Sequence, residues 1–152
     1  MGSRVDYKEA SPAAFKAMAA LQAAVNHRGL DPALLEMVKV RTSQINGCAY
    51  CIDVHYREAR TKGVPEQKLY LLEAWRESPV YTPRERAALA WTESITLVAE
   101  SRVADDVYEQ ALAQFGEQAL VDLTLAVVAI NGWNRLGVGF RLPPPAPAEG
   151  GD

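Results

Sequence analysis

Glu36-Met-Val-Lys-Val-Arg-Thr-Ser-Gln-Ile-Asn-Gly-Cys-Ala-Tyr-Cys-Ile-Asp-Val-His55 reads as the end of one helix, a turn, and the start of the next. Asn46-Gly47 supplies the turn, because glycine takes the left-handed backbone that ends a helix without a Cβ penalty. Cys48 and Cys51 then open the following helix as Cys-x-x-Cys, and His55 comes four residues after the second. At 100° per residue, Cys48, Cys51 and His55 fall within an arc of roughly 60°. Ile52 and Ala59 share that side, whereas Asp53, Arg57 and Arg60 point away. The spacing predicts two thiols and an imidazole on the inward face of an amphipathic helix.

Working outward, Ser11-Pro12 and Asp31-Pro32 each join an N-cap residue to proline at the first helical position. They predict a first helix to about His27, stopped near Gly29, and a second to about Asn46. The third, from about Cys48 to Lys62, is capped by Gly63. A fourth follows Val64-Pro65 to about Glu77, with Leu69, Leu72 and Trp75 at helical spacing. Thr82-Pro83-Arg84-Glu85 is a capping box that opens a fifth helix to about Ala99, with Ala88, Trp91, Ile95 and Val98 as its apolar ridge. A sixth runs from Ala104 to Phe115 and ends at Gly116. A seventh runs from Glu117 to about Leu136. It is apolar nearly all round, so it belongs either in the core or in a subunit interface. No strand alternation is convincing. The expectation is an all-α bundle of six to seven helices over residues 1–141, followed by a Pro/Gly-rich tail over 142–152.

The cysteine pair admits three readings: small buried core residues, a metal site with His55 and Glu36 as further donors, or a redox dithiol. The third suits the position. Free N–H groups and the helix dipole at a first turn favour the reactive thiolate, and a neighbouring thiol can resolve an oxidised sulfur internally. The dipole favours Cys48, nearer the helix end. The base favours Cys51, one turn from His55. An exposed dipole is worth below ~1 kcal/mol, whereas a hydrogen-bonded imidazole can lower a thiol pKa by several units. Cys51 is therefore expected to attack, and Cys48, nearer the helix start, to meet a reductant. Periodicity sets Glu36 opposite Leu34, Val38 and Ile45, which is a solvent-facing position. Tyr50 is read as packing, and His27 as a surface or capping residue at a helix end.

Glu36, then Cys-x-x-Cys beginning twelve residues later, then His55, resembles the AhpD-like alkyl hydroperoxidases of the carboxymuconolactone decarboxylase superfamily. Arg41-Thr-Ser-Gln-Ile-Asn-Gly-Cys48, Ala90-Trp-Thr-Glu93 and Ile130-Asn-Gly-Trp-Asn-Arg135 also resemble this family. Tyr50 stands where some members carry a second histidine. The resemblance implies an AhpD-like helical bundle that reduces alkyl hydroperoxides through catalytic Cys51, Cys48, His55 and Glu36, with Glu36 reaching the imidazole. It implies a peroxide substrate and an external dithiol or protein reductant, with a peroxiredoxin among such partners. It also implies a trimer or hexamer, and neither cofactor nor metal. Lactone decarboxylation is not implied, because members with that activity are not defined by the cysteine pair.

The 152 residues suffice for one domain with a substantial core, and 49% hydrophobic with 23% charged residues is ordinary for a soluble protein. A net charge of −3 without a basic cluster argues against nucleic acid. No basic-then-apolar leader precedes the first helix, and no run of ~18 uncharged apolar residues occurs, so the expectation is a cytoplasmic protein without a membrane span. In that compartment a lone Cys-x-x-Cys points to reactivity rather than to a staple.

Overall fold

In the computed structural model, which describes residues 2–147, the chain is helical and no strand occurs among the described residues. Asp6 accepts from the Lys8 and Glu9 N–H groups and starts a short helix, α1 (Tyr7–Ala10), which the sequence reading did not anticipate. The proline-led helices form as expected: α2 (Pro12–Asn26), with exposed His27 as its C-cap, and α3 (Pro32–Asn46). Gly47 takes φ 69° and ends α3, and α4 (Ala49–Thr61) follows with Cys48 as its N-cap.

The expected fourth helix is two pieces, α5 (Glu66–Tyr70) and a 3-10 turn (Leu72–Glu77) bent at Ala74. Together the two pieces still bury Leu69, Leu72 and Trp75. The Thr82–Glu85 capping box forms and opens α6 (Pro83–Thr96), which stops three residues short of the expected Ala99. A separate turn, α7 (Val98–Ser101), follows, so Val98 is exposed instead of completing the apolar ridge. The sixth and seventh expected helices form α8 (Asp105–Gly139) as two helical segments that meet at Gly116, whose non-helical φ 74°, ψ 171° breaks the helix at the expected boundary.

α8 is long and apolar enough to cross a membrane by length and composition alone, and one face of it is packed into the bundle. It packs against α2, α3, α4 and α6 and buries Leu120, Leu123, Val127 and Ile130. Each such side chain contributes roughly 1.5–3 kcal/mol by leaving water. Its opposite face leaves Val121, Leu125 and Val128 exposed. α3 lies between α4, α6 and α8, so residues Leu34 through Val40 are buried on every side of the helix.

Polar clasps fix the α3–α4 turn. Asn46 Nδ2 donates to Asn131 Oδ1 at 2.9 Å and to Asn134 Oδ1 at 3.0 Å, while Asn134 Nδ2 donates to Ser43 Oγ at 2.9 Å. On the far side of α3, Arg41 donates to Glu93 at 3.0 Å, and Trp75 and Arg76 bind the same carboxylate. The Glu93 carboxyl is pushed up by burial, yet these donors outweigh that and hold it below its usual range. Residues 142–147 have no helix or strand. Leu142 N–H donates to Gly137 C=O, and Pro144, Pro145 and Pro147 border a groove beside α4. The rest of the expected tail, residues 148–152, lies outside the described residues.

Candidate active site

Cys48 and Cys51 are joined as a disulfide at the start of α4, and both are buried. As the N-cap, Cys48 places its sulfur where the Cys51 N–H donates to it at 3.3 Å. Gly137 of α8 closes over the pair: a Cβ added there would lie 2.8 Å from Cys48 Sγ and 3.5 Å from Cys51 Sγ. This corrects the expectation that Cys48, nearer the helix start, would be the accessible sulfur. Cys51 lines the adjoining cavity and Cys48 does not, because α8 seals the helix start.

The cavity, of about 350 Å³, is walled by α1, α2, α3, α4 and the C-terminal part of α8. Glu36, Cys51 and His55 all face it. Glu36 is only 2% exposed, which overturns its periodicity reading as a solvent-facing charge. The physical reason is that α4 covers the polar side of α3. The carboxylate stays ionised there because it is saturated with donors. Lys39 Nζ reaches Oε1 at 2.8 Å, Lys62 Nζ reaches the same oxygen at 3.1 Å, and His55 Nδ1 lies 2.9 Å from Oε2. Burial pushes the Glu36 carboxyl up. The hydrogen bonds from His55 and Lys39 and the charge of Lys39 outweigh that and bring it down to about 2.

An ionised Glu36 fixes the imidazole tautomer. A carboxylate only accepts, so His55 Nδ1 must carry the hydrogen. In the neutral ring Nε2 is then a free acceptor, on a side chain one helical turn from Cys51. The site can therefore take up a proton beside a sulfur.

Of the residues the sequence singled out, Cys48, Cys51, His55 and Glu36 converge here. Trp133 lines the cavity, and Tyr50, read as packing, lines it as well. Asn131 instead bonds Asn46, Thr96 and its own helix. Lys39 and Lys62 were not anticipated. Their signal was present: Lys39 is three residues after Glu36, and Lys62 is seven after His55, each on the same helix face as its predecessor. Tyr7, Phe15 and Gln22 come from α1 and α2, which carry no motif. Among the described residues no group of three or more His, Cys, Asp or Glu side chains is arranged to hold a metal ion.

The carboxymuconolactone decarboxylase family matches residues 12–94. The uncharacterised protein YdfG of Bacillus subtilis (strain 168) is 40% identical over 140 residues, covering 92% of this chain and 95% of that protein. The uncharacterised protein YnjA of Escherichia coli (strain K12) is 31% identical over 121 residues, covering 80% of this chain and 64% of that protein. A crystal structure of an Agrobacterium tumefaciens protein of unknown function, described as a candidate antioxidant defence protein AhpD, superposes with a TM-score of 0.93. It is 45% identical and covers 96% of this chain and 100% of its own. The debrominase Bmp8 shares the fold alone, at TM-score 0.80 and 18% identity, covering 91% of this chain and 74% of its own. By sequence and by fold, this chain is an AhpD-like member of the carboxymuconolactone decarboxylase family.

Proposed function

We propose that the protein is a thiol-dependent peroxidase that reduces alkyl hydroperoxides through its Cys48–Cys51 pair. The observation that carries this reading is the 2.9 Å contact between ionised Glu36 and His55 Nδ1, one helical turn from a cysteine already able to pair with its neighbour.

The disulfide is the end of the cycle, and an external dithiol opens it by thiol–disulfide exchange. His55 Nε2 then takes the proton of Cys51 and leaves a thiolate. The thiolate attacks the distal oxygen of ROOH. The S–O bond forms, the O–O bond breaks, and the leaving alkoxide receives the proton from His55 as ROH. Cys51 is now a sulfenic acid. Attack by the Cys48 sulfur forms the disulfide and releases water, so the balance is ROOH and two thiols in, ROH, water and one disulfide out. Glu36 holds the imidazole by its Nδ1 and leaves Nε2 turned to the proton transfer. The hydrogen bonds from His55 and Lys39 keep Glu36 ionised, and Lys62 binds the same carboxylate.

The protein works in this reading in the cytoplasm as a homo-oligomer, a trimer or hexamer, covering the Val121, Leu125 and Val128 stripe. Its reductant is a small dithiol or a protein, a peroxiredoxin among the candidates. The test is steady-state consumption of tert-butyl hydroperoxide with dithiothreitol as reductant. Catalytic turnover that disappears in Cys51→Ser supports the reading. A single equivalent of peroxide consumed, with no turnover, would leave a disulfide carrier or redox sensor instead.

A further inference from the structure

Beside the redox cavity lies a second one, of about 450 Å³, bounded by α1, α2 and the C-terminal part of α8. Apart from Ser11 and the Tyr7 hydroxyl, its lining is apolar. The two cavities have opposite character. The first presents Glu36, Lys39, His55 and Lys62; the second presents alkyl and aromatic surface. Both share Tyr7 and Phe15 as walls.

The shared wall is a row of rings. Phe140 meets Tyr7 at 6.0 Å between centroids, Tyr7 meets Phe15 at 6.2 Å, and Phe15 meets Trp133 edge-on at 5.7 Å. The row begins in the apolar trough and ends in the redox cavity. α8 serves both sides. Gly132 and Leu136 line the trough, while Trp133 faces the redox cavity and Gly137 the disulfide. Gly132 sets how closely α2 approaches, since a Cβ there would lie 2.7 Å from Met18 Cε.

A small hydroperoxide needs only the polar cavity. The two cavities lie side by side along this ring row, so a molecule with a polar reactive end and an apolar body would lie across it with one end in each, and each volume lies within the usual ligand-pocket range. We propose, resting on the peroxidase reading, that the trough is the subsite for the alkyl chain of the hydroperoxide, so that the enzyme prefers long-chain over short or branched hydroperoxides.

The experiment compares n-decyl hydroperoxide with tert-butyl hydroperoxide in the wild type and in Ala14→Trp and Leu136→Trp, two independent fillings of the trough. In the wild type, kcat/KM for the decyl compound is expected to exceed that for tert-butyl at least tenfold. Each variant is expected to bring the ratio close to one. The far-UV circular dichroism and melting temperature of each variant establish that it is folded before its ratio is read. A wild-type ratio near one, or a ratio that neither variant changes, overturns the proposal. Calorimetric binding of 1-decanol, the product alcohol, needs no turnover. Its retention in an enzyme inactive toward both peroxides, with loss in both variants, would sink the peroxidase reading and keep the trough as an alkyl site. Its absence in the wild type would sink the trough. A lower assembly mass of Ala14→Trp by light scattering would mark the trough as a subunit contact and overturn the proposal too.

Discussion

Glu36 of α3 and His55 of α4 meet across the packed helix pair at 2.9 Å, although nineteen residues separate them in the chain. The same carboxylate also holds Lys39 and Lys62, so its removal is expected to change stability as well as reactivity.

Glu36→Gln is expected to destabilise the protein by about 3 kcal/mol, because it leaves the buried Lys39 ammonium without its counter-charge. Adding Lys39→Met to Glu36→Gln should recover most of the loss. Urea denaturation of the two variants checks this, and a double variant no more stable than the single one would contradict it.

His55→Ala removes the proton acceptor without disturbing the Glu36–Lys39 pair. The reduced protein should react with peroxide about 10²–10⁴-fold more slowly and stay folded, with a stability loss of about 1–3 kcal/mol because Glu36 Oε2 loses its donor. Stopped-flow measurement at several pH values reads the rate. Wild-type rates in mildly acidic and mildly alkaline buffer alike would exclude His55 from the chemistry.

The Glu36 carboxyl is depressed in the folded protein, to about 2 from 4.5. Its contribution to stability is therefore fully present above about pH 4.5 and is lost as the pH falls toward about 2. Thermal melts across that window should show the wild type losing stability more steeply than Glu36→Gln. Parallel curves would place the acid sensitivity elsewhere, with Glu93 the next group to consider, since its carboxyl is also held low.

Replacing glycine by alanine inside a helix ordinarily stabilises by roughly 0.5–1 kcal/mol. Gly137→Ala is expected to do the reverse, because its Cβ would lie 2.8 Å from Cys48 Sγ. In a Cys48→Ala background the sulfur is gone and the ordinary gain should return. The coupling between the two substitutions, from melts of all four proteins, is the quantity to measure.

The stripe of Val121, Leu125 and Val128 on α8 is expected to be covered by a second copy. Light scattering at micromolar concentration should give a trimer or hexamer mass, and Val121→Glu with Val128→Glu should reduce it. A wild-type monomer would contradict the assembly.

Much of this architecture was legible in local chemistry. Pro12, Pro32 and Pro83 mark the helix starts, Gly47 marks the turn before Cys48, and Gly116 marks the break between the two segments of α8, because each backbone requirement is satisfied by a residue at that position. The helix around Cys48, Cys51 and His55 was legible for the same reason. Glu36 was misread by periodicity, since that method assumes one wet side and α3 has none. The sealing of Cys48 by Gly137 was also hidden, because it joins residues 89 positions apart in the chain. Lys39 and Lys62 could have been found by asking what would neutralise a buried carboxylate.

The central claim is that Cys51 attacks and Cys48 resolves. It is tested most directly by treating reduced Cys48→Ser and Cys51→Ser with one equivalent of peroxide and a sulfenic-acid trap, then mapping the adduct by mass spectrometry. Cys48→Ser should carry the trapped adduct on Cys51, and Cys51→Ser should stay largely unmodified. An adduct that forms on Cys48 in Cys51→Ser, with Cys51 unreactive in the other variant, would contradict the account.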